Sequence, residues 1–570
     1  MKKNLPVCTI EAAVKPPKSQ NMTNLPHIIL ERKDLAIIVT GSLACIRGIY
    51  KTVASLGKLH QLYYCVLDNN DYNSGVWAKK YACIINKVLQ KKGLGGIIIY
   101  AGCLDTLAKV SLKKVRPLLN NPSAIPVEIL YRGPLSAAIR KPKDALPEIL
   151  AKIPPTDRTL NKDGFALPPL QPDFTGVAAM IEHRDSCNIV LDIGGCSACI
   201  APSCNNSFST LKKTVFNGYA GLTQYKEVLD KIILREADRQ TKSCCILLET
   251  PVVQKAQLDI SWLQDSLKQN GLESVALGTT GYQSSEEGVA AALIKVGERA
   301  KTLSAGKPLV TIPNGIGVLG AVNGQTAFRS KIWHGIEHFL QDGYTAIFPE
   351  DLSWKNMDRL ATVRINWVVS SVAVPLAKYM KKEFGIPYLS AVPVGARSML
   401  LWRNQVNQMM HNTSAELLAI PPVILPAHKQ KKVLIVGDPI LTAGIKSYFV
   451  AVEGYVKVDR AVYAPVPSFL NFCTQIALDE VTHGLQDEYS PIGNPPVFFQ
   501  DTDAWQKIAS QYDIIVCDKL LQLCLGDTVP PKKWINIPDG ILSNGLAKEE
   551  DYAIFGKKGA SWLRNALSMT

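Results

Sequence analysis

"IVLDIGGCSACIAPSC" occupies Ile189–Cys204, and "AIIVTGSLACIRGIY" occupies Ala36–Tyr50. Each is an apolar run followed by Gly-x-x-Ala-Cys, so that Gly41 and Cys45 are echoed by Gly195 and Cys199. A short apolar run that stops on glycine reads as a buried strand delivering its next residues into a loop. In parallel α/β sheets those loops sit at the carboxyl ends of the strands, where such folds bind ligands. Three cysteines, Cys196, Cys199 and Cys204, crowd the second copy of the frame.

The surrounding chain alternates in the same way. Across 26–150, "LAIIVTG", "GGIIIYAG" and "IPVEILY" alternate with the helix-like "VWAKKYACIINKVLQKK" and "LAKVSLKKVRPLL". "IPPTDRTLNKDGFALPPLQPDF" (153–174) is Pro-rich and aperiodic, and reads as a linker. Beyond it come "NIVLDIGG", "CCILLETP", "SVALGTTG", "PLVTIPNG", "TAIFPED", "VLIVGDP", "YDIIVCDK" and "KWINIPDG", each read as a strand. Alternation of this kind predicts an α/β chain of several parallel-sheet domains. The expected division is a tail over 1–25, an α/β unit over 26–150, a linker over 151–175, and three further α/β domains over 176–302, 303–425 and 426–570.

The two halves match a second time. "GGIIIYAGCLDTLAKVSLKKVRPLL" (95–119) aligns without gaps on "SCCILLETPVVQKAQLDISWLQDSL" (243–267). Val110, Leu112, Val115 and Leu119 fall on Leu258, Ile260, Leu263 and Leu267, a shared helix face. Two matches in the same order predict an internal duplication of the first domain. Where the register breaks it is informative: Cys103 falls opposite Pro251.

At 570 residues with 47% hydrophobic and 20% charged residues, the chain is a multidomain globular protein, not a disordered one. "VRINWVVSSVAVPLAKYM" carries charges at both ends and suits a buried helix better than a bilayer span. The start has no sustained apolar core, so no signal peptide is read, and a cytoplasmic location is expected. The 14 cysteines then do not read as a disulfide framework. The net charge of +14 is concentrated in 51–152, which holds 16 Lys/Arg against 6 Asp/Glu. That excess reads either as a solvated surface or as a docking face for an acidic partner. No RNP-like or zinc-finger pattern accompanies it, so no nucleic-acid partner is expected.

These motifs resemble component 1 of nitrogenase and its relatives, the dark-operative protochlorophyllide reductase and the nickel-sirohydrochlorin reductive cyclase. "GSLAC" and "GCSAC" resemble the family's Gly-x-x-Gly-Cys loop, and "YAGC" and "ETP" its strand ending in Thr-Cys-Pro. "LGTTGYQSSEEG" (277–288) resembles the T-x-G-F segment, "KEFGIPYLSAVPVGARSMLLW" (382–402) the stretch around its Gly-Ile-Pro-Tyr, and "KKVLIVGDP" (431–439) the strand opening its third domain. The resemblance covers about 176–570 as a three-domain component, with 26–150 as an extra copy of the first domain.

In that family a cluster sits between two pseudo-symmetric first domains, each donating cysteines. The resemblance therefore implies iron–sulfur ligation, and a [4Fe-4S] cluster is expected, since soft thiolates suit iron. Cys45 and Cys199 would take the first ligand position in the two copies and Cys103 the second in copy one. Pro251 cannot ligate, which leaves Cys196 or Cys204 for the fourth place. A dithiol–disulfide pair at Cys196/Cys199 and a zinc knuckle at Cys196, Cys199 and Cys204 are the competing readings. Cys65, Cys83, Cys473 and Cys517 read as small buried hydrophobes. No cysteine lies between Cys245 and Cys473 and no histidine follows His483, which argues against a nitrogenase-type molybdenum–iron cofactor.

Three motifs are decoys. "GIGVLG" (Gly315–Gly320) spells G-x-G-x-x-G, but the next acid lies too far on, and a permissive glycine loop is the better account. "HGIEH" (His334–His338) lacks a third zinc ligand. "GDPILTAGIKS" (437–447) has the wrong spacing for a Walker A loop, so any ATP chemistry belongs to a partner. The expected function is the catalytic component of an ATP-dependent reductase. It would take low-potential electrons from a separate ATP-hydrolysing iron protein and reduce a small organic substrate. A homodimer or a second component 1-like subunit would complete it, with no membrane partner. The alternative is a non-catalytic scaffold for iron–sulfur cluster or cofactor assembly.

Overall fold

The computed structural model describes residues 25–133, 136, 140–162, 164–181, 187–192, 211–215, 244–255, 259–321, 336, 340, 343–411, 429–487, 495–525, 532–537 and 555–568. Four sheets lie among them, and every strand pair is parallel.

The first sheet joins β1 (Leu35–Gly41), β2 (Leu62–Val66), β3 (Gly96–Ala101) and β4 (Val127–Tyr131) in the order β2-β1-β3-β4. Its central strands are apolar throughout because both faces are covered. Ala36 and Ile38 pack towards the helix Trp77–Leu89, and Leu35, Ile37 and Val39 towards the helices Leu25–Glu31, Leu43–Ser55 and Pro142–Ala151.

The second sheet contains β5 (Cys187–Asp192), β6 (Leu211–Val215), β7 (Cys244–Glu249) and β8 (Glu273–Gly278), ordered β6-β5-β7-β8. The strand order expected to match the first sheet does match. The third sheet, β9 (Gly315–Leu319), β10 (Thr345–Ile347), β11 (Ile365–Val368) and β12 (Tyr388–Ser390), winds as β10-β9-β11-β12 and so shares that order. Order alone therefore does not single out the first two sheets as copies, and the duplication stays a proposal carried by sequence register. The fourth sheet is β13 (Val433–Val436), β14 (Val458–Tyr463), β15 (Val497–Phe499), β16 (Ile514–Cys517) and β17 (Lys533–Asn536), ordered β15-β14-β13-β16-β17.

The helix Ser285–Ser304 ties sheets two and three. Its start is fixed by a capping box in which Ser284 and Glu287 exchange side-chain and backbone hydrogen bonds. Gly176 and Gly288 let it approach the helix Asp173–Ile181 at backbone contact, since a Cβ at either would overlap the other's main chain.

Three readings of the chain need correction. "PLVTIPN" is not a strand: Val310 is 82% exposed, and the strand is "GIGVL" itself, fully buried as β9. Gly317 is needed there because a Cβ would overlap the Asn366 side chain on β11, so these glycines form neither a dinucleotide loop nor a permissive one. "VRINWVVSSVAVPLAKYM" is not one helix but β11, a short 3-10 turn Ser371–Ala373 and the helix Val374–Phe384. The break falls where Ser371 N–H and Oγ and Ser370 Oγ all donate to Asp438 Oδ2.

The Pro-rich segment is a seated strap. Tyr50 donates to the carbonyl of Ala166 at 3.1 Å, Tyr64 to Leu167 at 2.8 Å, Tyr463 to Pro168 at 3.0 Å and Arg47 to Pro169 at 2.6 Å. Proline-rich backbone lacks its own ladder, so these side chains supply the partners its carbonyls need. Burial pushes the Arg47 guanidinium down to about 10. "HGIEH" lies outside the described residues apart from Ile336, and Asp438 caps the helix Pro439–Ala451 at the false P-loop.

Candidate functional site

In a sheet wound β2-β1-β3-β4 the chain reverses direction between β1 and β3, and the crevice above that switch point is the binding position of the fold. Cys45 follows β1, in the first turn of the helix Leu43–Ser55. Cys103 follows β3, as the first residue of the helix Cys103–Leu107. The topology therefore sets these two thiols on either side of the crevice, both partly exposed.

Glycines shape the walls. Gly41 leaves β1 at φ +122°, a conformation that favours glycine. A methyl group added at Gly102 would lie 3.6 Å from Cys45 Sγ, and one added at Gly133 (φ +99°) would overlap Cys103 Sγ. Arg132 closes the side: its guanidinium donates to the Cys45 carbonyl at 2.8 Å and stacks over the Tyr100 ring at 5.0 Å.

Beneath the two loops lies a buried carboxyl group. Asp105 is 0% exposed and accepts from Gly102 N–H at 2.6 Å, Thr40 Oγ1 at 2.9 Å and the hydroxyls of Tyr72 and Tyr81 at 2.8 Å each. Tyr81 also lies 2.7 Å from Thr40 Oγ1, and its single proton serves one acceptor at a time. Burial first, and Asp105 second, pushes both phenols upward.

The second sheet meets this crevice from the other side. Pro251, in the register opposite Cys103, is the first residue of the helix Pro251–Lys255 that follows β7. A Cβ at Gly281 would stand 2.7 Å from the Pro251 ring and 3.4 Å from Ser42 Oγ. Thr280 and Gly281 are clamped by Asp173, which accepts from Thr280 N–H at 2.7 Å, Thr280 Oγ1 at 2.9 Å and Gly281 N–H at 2.8 Å. Burial raises the Asp173 carboxyl to about 6 against those hydrogen bonds. Tyr282 reaches across to Asn69 Oδ1 at 3.3 Å. Burial raises its phenol most, and the Cys45 thiol is the next cause.

Of the sequence-predicted ligands, the structure sets Cys45 and Cys103 at one crevice, while Cys196, Cys199 and Cys204 lie outside the described residues. Among the described residues no group of three or more His, Cys, Asp or Glu side chains could hold a metal ion. Cys65, Cys473 and Cys517 are buried as expected, and burial pushes the Cys65 thiol up to about 12. Cys83 is exposed, a correction: it falls off the buried Trp77, Tyr81, Ile85 and Val88 face of its helix. Thr40, Asp105, Tyr72, Tyr81 and Asp173 were not read from the sequence. Only "GCLD" signalled one of them, by the Gly-x-x-Asp spacing of a capping box.

Doubly wound parallel sheets with cysteines at a switch point define a protein of the nitrogenase-like architecture. The chain is 32% identical over 74 residues to a light-independent protochlorophyllide reductase polypeptide of Picea mariana, covering 13% of this chain and 71% of that relative. The chain belongs to the nitrogenase component 1-like family. No family model matches it. Among solved structures, nitrogenase Cp1 at pH 6.5 aligns at 12% identity and a TM-score of 0.48, over 70% of this chain and 91% of that one. Nitrogenase Cp1 at pH 5 aligns at 13% identity and a TM-score of 0.45, over 70% and 87%. Among the described residues no helix is long and apolar enough to cross a membrane.

Proposed function

We propose that this chain is the catalytic component of a nitrogenase-like reductase. It receives low-potential electrons from a separate ATP-hydrolysing iron protein and reduces a small organic substrate. The observation that carries the reading is the convergence of Cys45 and Cys103 on one switch-point crevice in a member of this family. The donor chemistry fits part of a [4Fe-4S] site. Cys45 and Cys103 would supply two thiolates, with the wall at Gly133 kept open for Cys103 Sγ. Cys199, with Cys196 or Cys204, would supply the rest. The cluster, when bound, would supply one-electron transfer. The chain's own residues fix the thiols, and the Pro251–Gly281–Tyr282 wall covers the crevice on the side of the second sheet.

The test is anaerobic purification with iron and sulfide analysis and electron paramagnetic resonance. Cluster-level iron that is reduced by an ATP-driven iron protein supports the reading. Iron-free protein overturns it, and iron that passes to an apo-acceptor without turnover supports the assembly scaffold in its place.

A further inference from the structure

We propose that Asp105 is a positioning residue that locks the Cys45 and Cys103 loops together as one thiol pair. The inference rests on the reading of these cysteines as ligands, and three observations carry it.

First, the carboxyl group bridges the two loops. Its bond from Gly102 N–H fixes the residue before Cys103, and its bond from Thr40 Oγ1 fixes the residue before Gly41, where β1 turns into the Cys45 loop. Second, capping the short helix needs only the Gly102 contact. The hydroxyls of Tyr72 and Tyr81 arrive from the helices Asn69–Ser74 and Trp77–Leu89, so the group is held from four elements while wholly buried. A buried acceptor with this many donors is rigid, because moving it strands several polar groups without water. Third, the register that sets Cys103 opposite Pro251 sets Asp105 opposite Val253, which is also 0% exposed. The strand end without a thiol has no carboxyl group beneath it either. A general folding role for the acid at this position would be needed at both.

The test uses the full chain, purified anaerobically, stripped of metal and reduced. Dibromobimane bridges neighbouring thiols, and peptide mass mapping gives the yield of the Cys45–Cys103 link. Asp105→Asn preserves size but turns one acceptor face into a donor against Gly102 N–H or Thr40. Its yield is expected to fall about tenfold with the far-UV circular dichroism unchanged, the scale set by losing one strong buried hydrogen bond. Thr40→Val, which cuts only the tie to β1, is expected to lower the yield while sparing the capped helix. In iron-loaded protein, Asp105→Asn is expected to alter the resonance spectrum of the cluster. A wild-type yield in Asp105→Asn overturns the proposal. If that variant does not fold, a wild-type yield in Thr40→Val overturns it instead. Iron-free wild-type protein whose bridging still depends on Asp105 supports the positioning role and sinks the cluster reading alone.

Discussion

Cys103 and Pro251 hold the same place in two sheets: each is the first residue of the helix that follows the third strand. Proline is well suited to that position, since its missing N–H has no helical partner there. It has no donor atom for a metal, however, and its ring instead fills the space over Gly281. The crevice is therefore asymmetric. One wall carries thiols, and the other is closed by packing.

Replacing Cys45 or Cys103 with alanine is expected to lower iron per chain severely, while Pro251→Ala leaves it near wild type. Iron and acid-labile sulfide assays on anaerobically purified variants check this. Equal iron in all three variants would remove these cysteines from the ligand set.

Gly133→Ala tests the open wall. The added methyl overlaps Cys103 Sγ at a backbone of φ +99°, so steric clash and strain act together. A stability loss of about 1–3 kcal/mol is expected, with reduced iron retention. The readouts are the denaturation midpoint and the iron content. Retained iron at unchanged stability would show that Cys103 has room to move.

Asp173 gives a pH signature. Its folded value is raised from 3.8 to about 6 by burial, so the folded state binds the proton more tightly than the unfolded chain. Stability from this group is therefore greatest at acid pH and falls as pH rises from about 4 to about 6, by up to about 3 kcal/mol. Denaturation across that window should show the slope in wild type. In Asp173→Asn that component of the slope should vanish.

The strap is expected to depend on Arg47. Arg47→Ala leaves the Pro169 carbonyl unpartnered and opens a cavity, at a cost of about 3 kcal/mol. Denaturant midpoints measure the loss, and faster proteolysis within 160–170 would localise it to the strap.

The basic region makes a kinetic prediction. Lys58 precedes β2, and the preceding 13-residue helix runs about 20 Å back from the Cys45 end. Lys58 therefore sits at the far edge of the sheet from the thiols, contrary to the expectation that Lys51 and Lys58 ring them. Lys80 is held by Asp71 at 2.6 Å, and Lys114 lies over Trp77. The exposed Lys79 and Lys109 follow the carboxyl ends of β2 and β3 and are the better docking candidates. Electron transfer from an iron protein should slow with salt and with Lys79→Glu and Lys109→Glu, but not with Lys58→Glu. A rate blind to all three reversals and to salt would leave the excess charge a solubility surface.

By itself, the sequence determined the class of fold and where its cysteines could act. Strands buried on both faces, such as β1, β3, β5, β7 and β13, are continuous apolar runs ending in a turn residue, a pattern that needs no neighbour to be read. Cys45 and Cys103 were legible for the same reason, because each directly follows such a run. Only the tertiary structure decided the rest. β9 forms from a glycine-rich stretch that propensity disfavours, because β11 brings Asn366 against Gly317 and no larger residue fits. Residues 165–169 are seated because Arg47, Tyr50, Tyr64 and Tyr463, more than 100 residues away in sequence, bond their carbonyls. Asp105 gained its role in the same way. A carboxyl group acts on two loops only when folding has brought Thr40, Gly102, Tyr72 and Tyr81 around it, and no local pattern encodes that meeting.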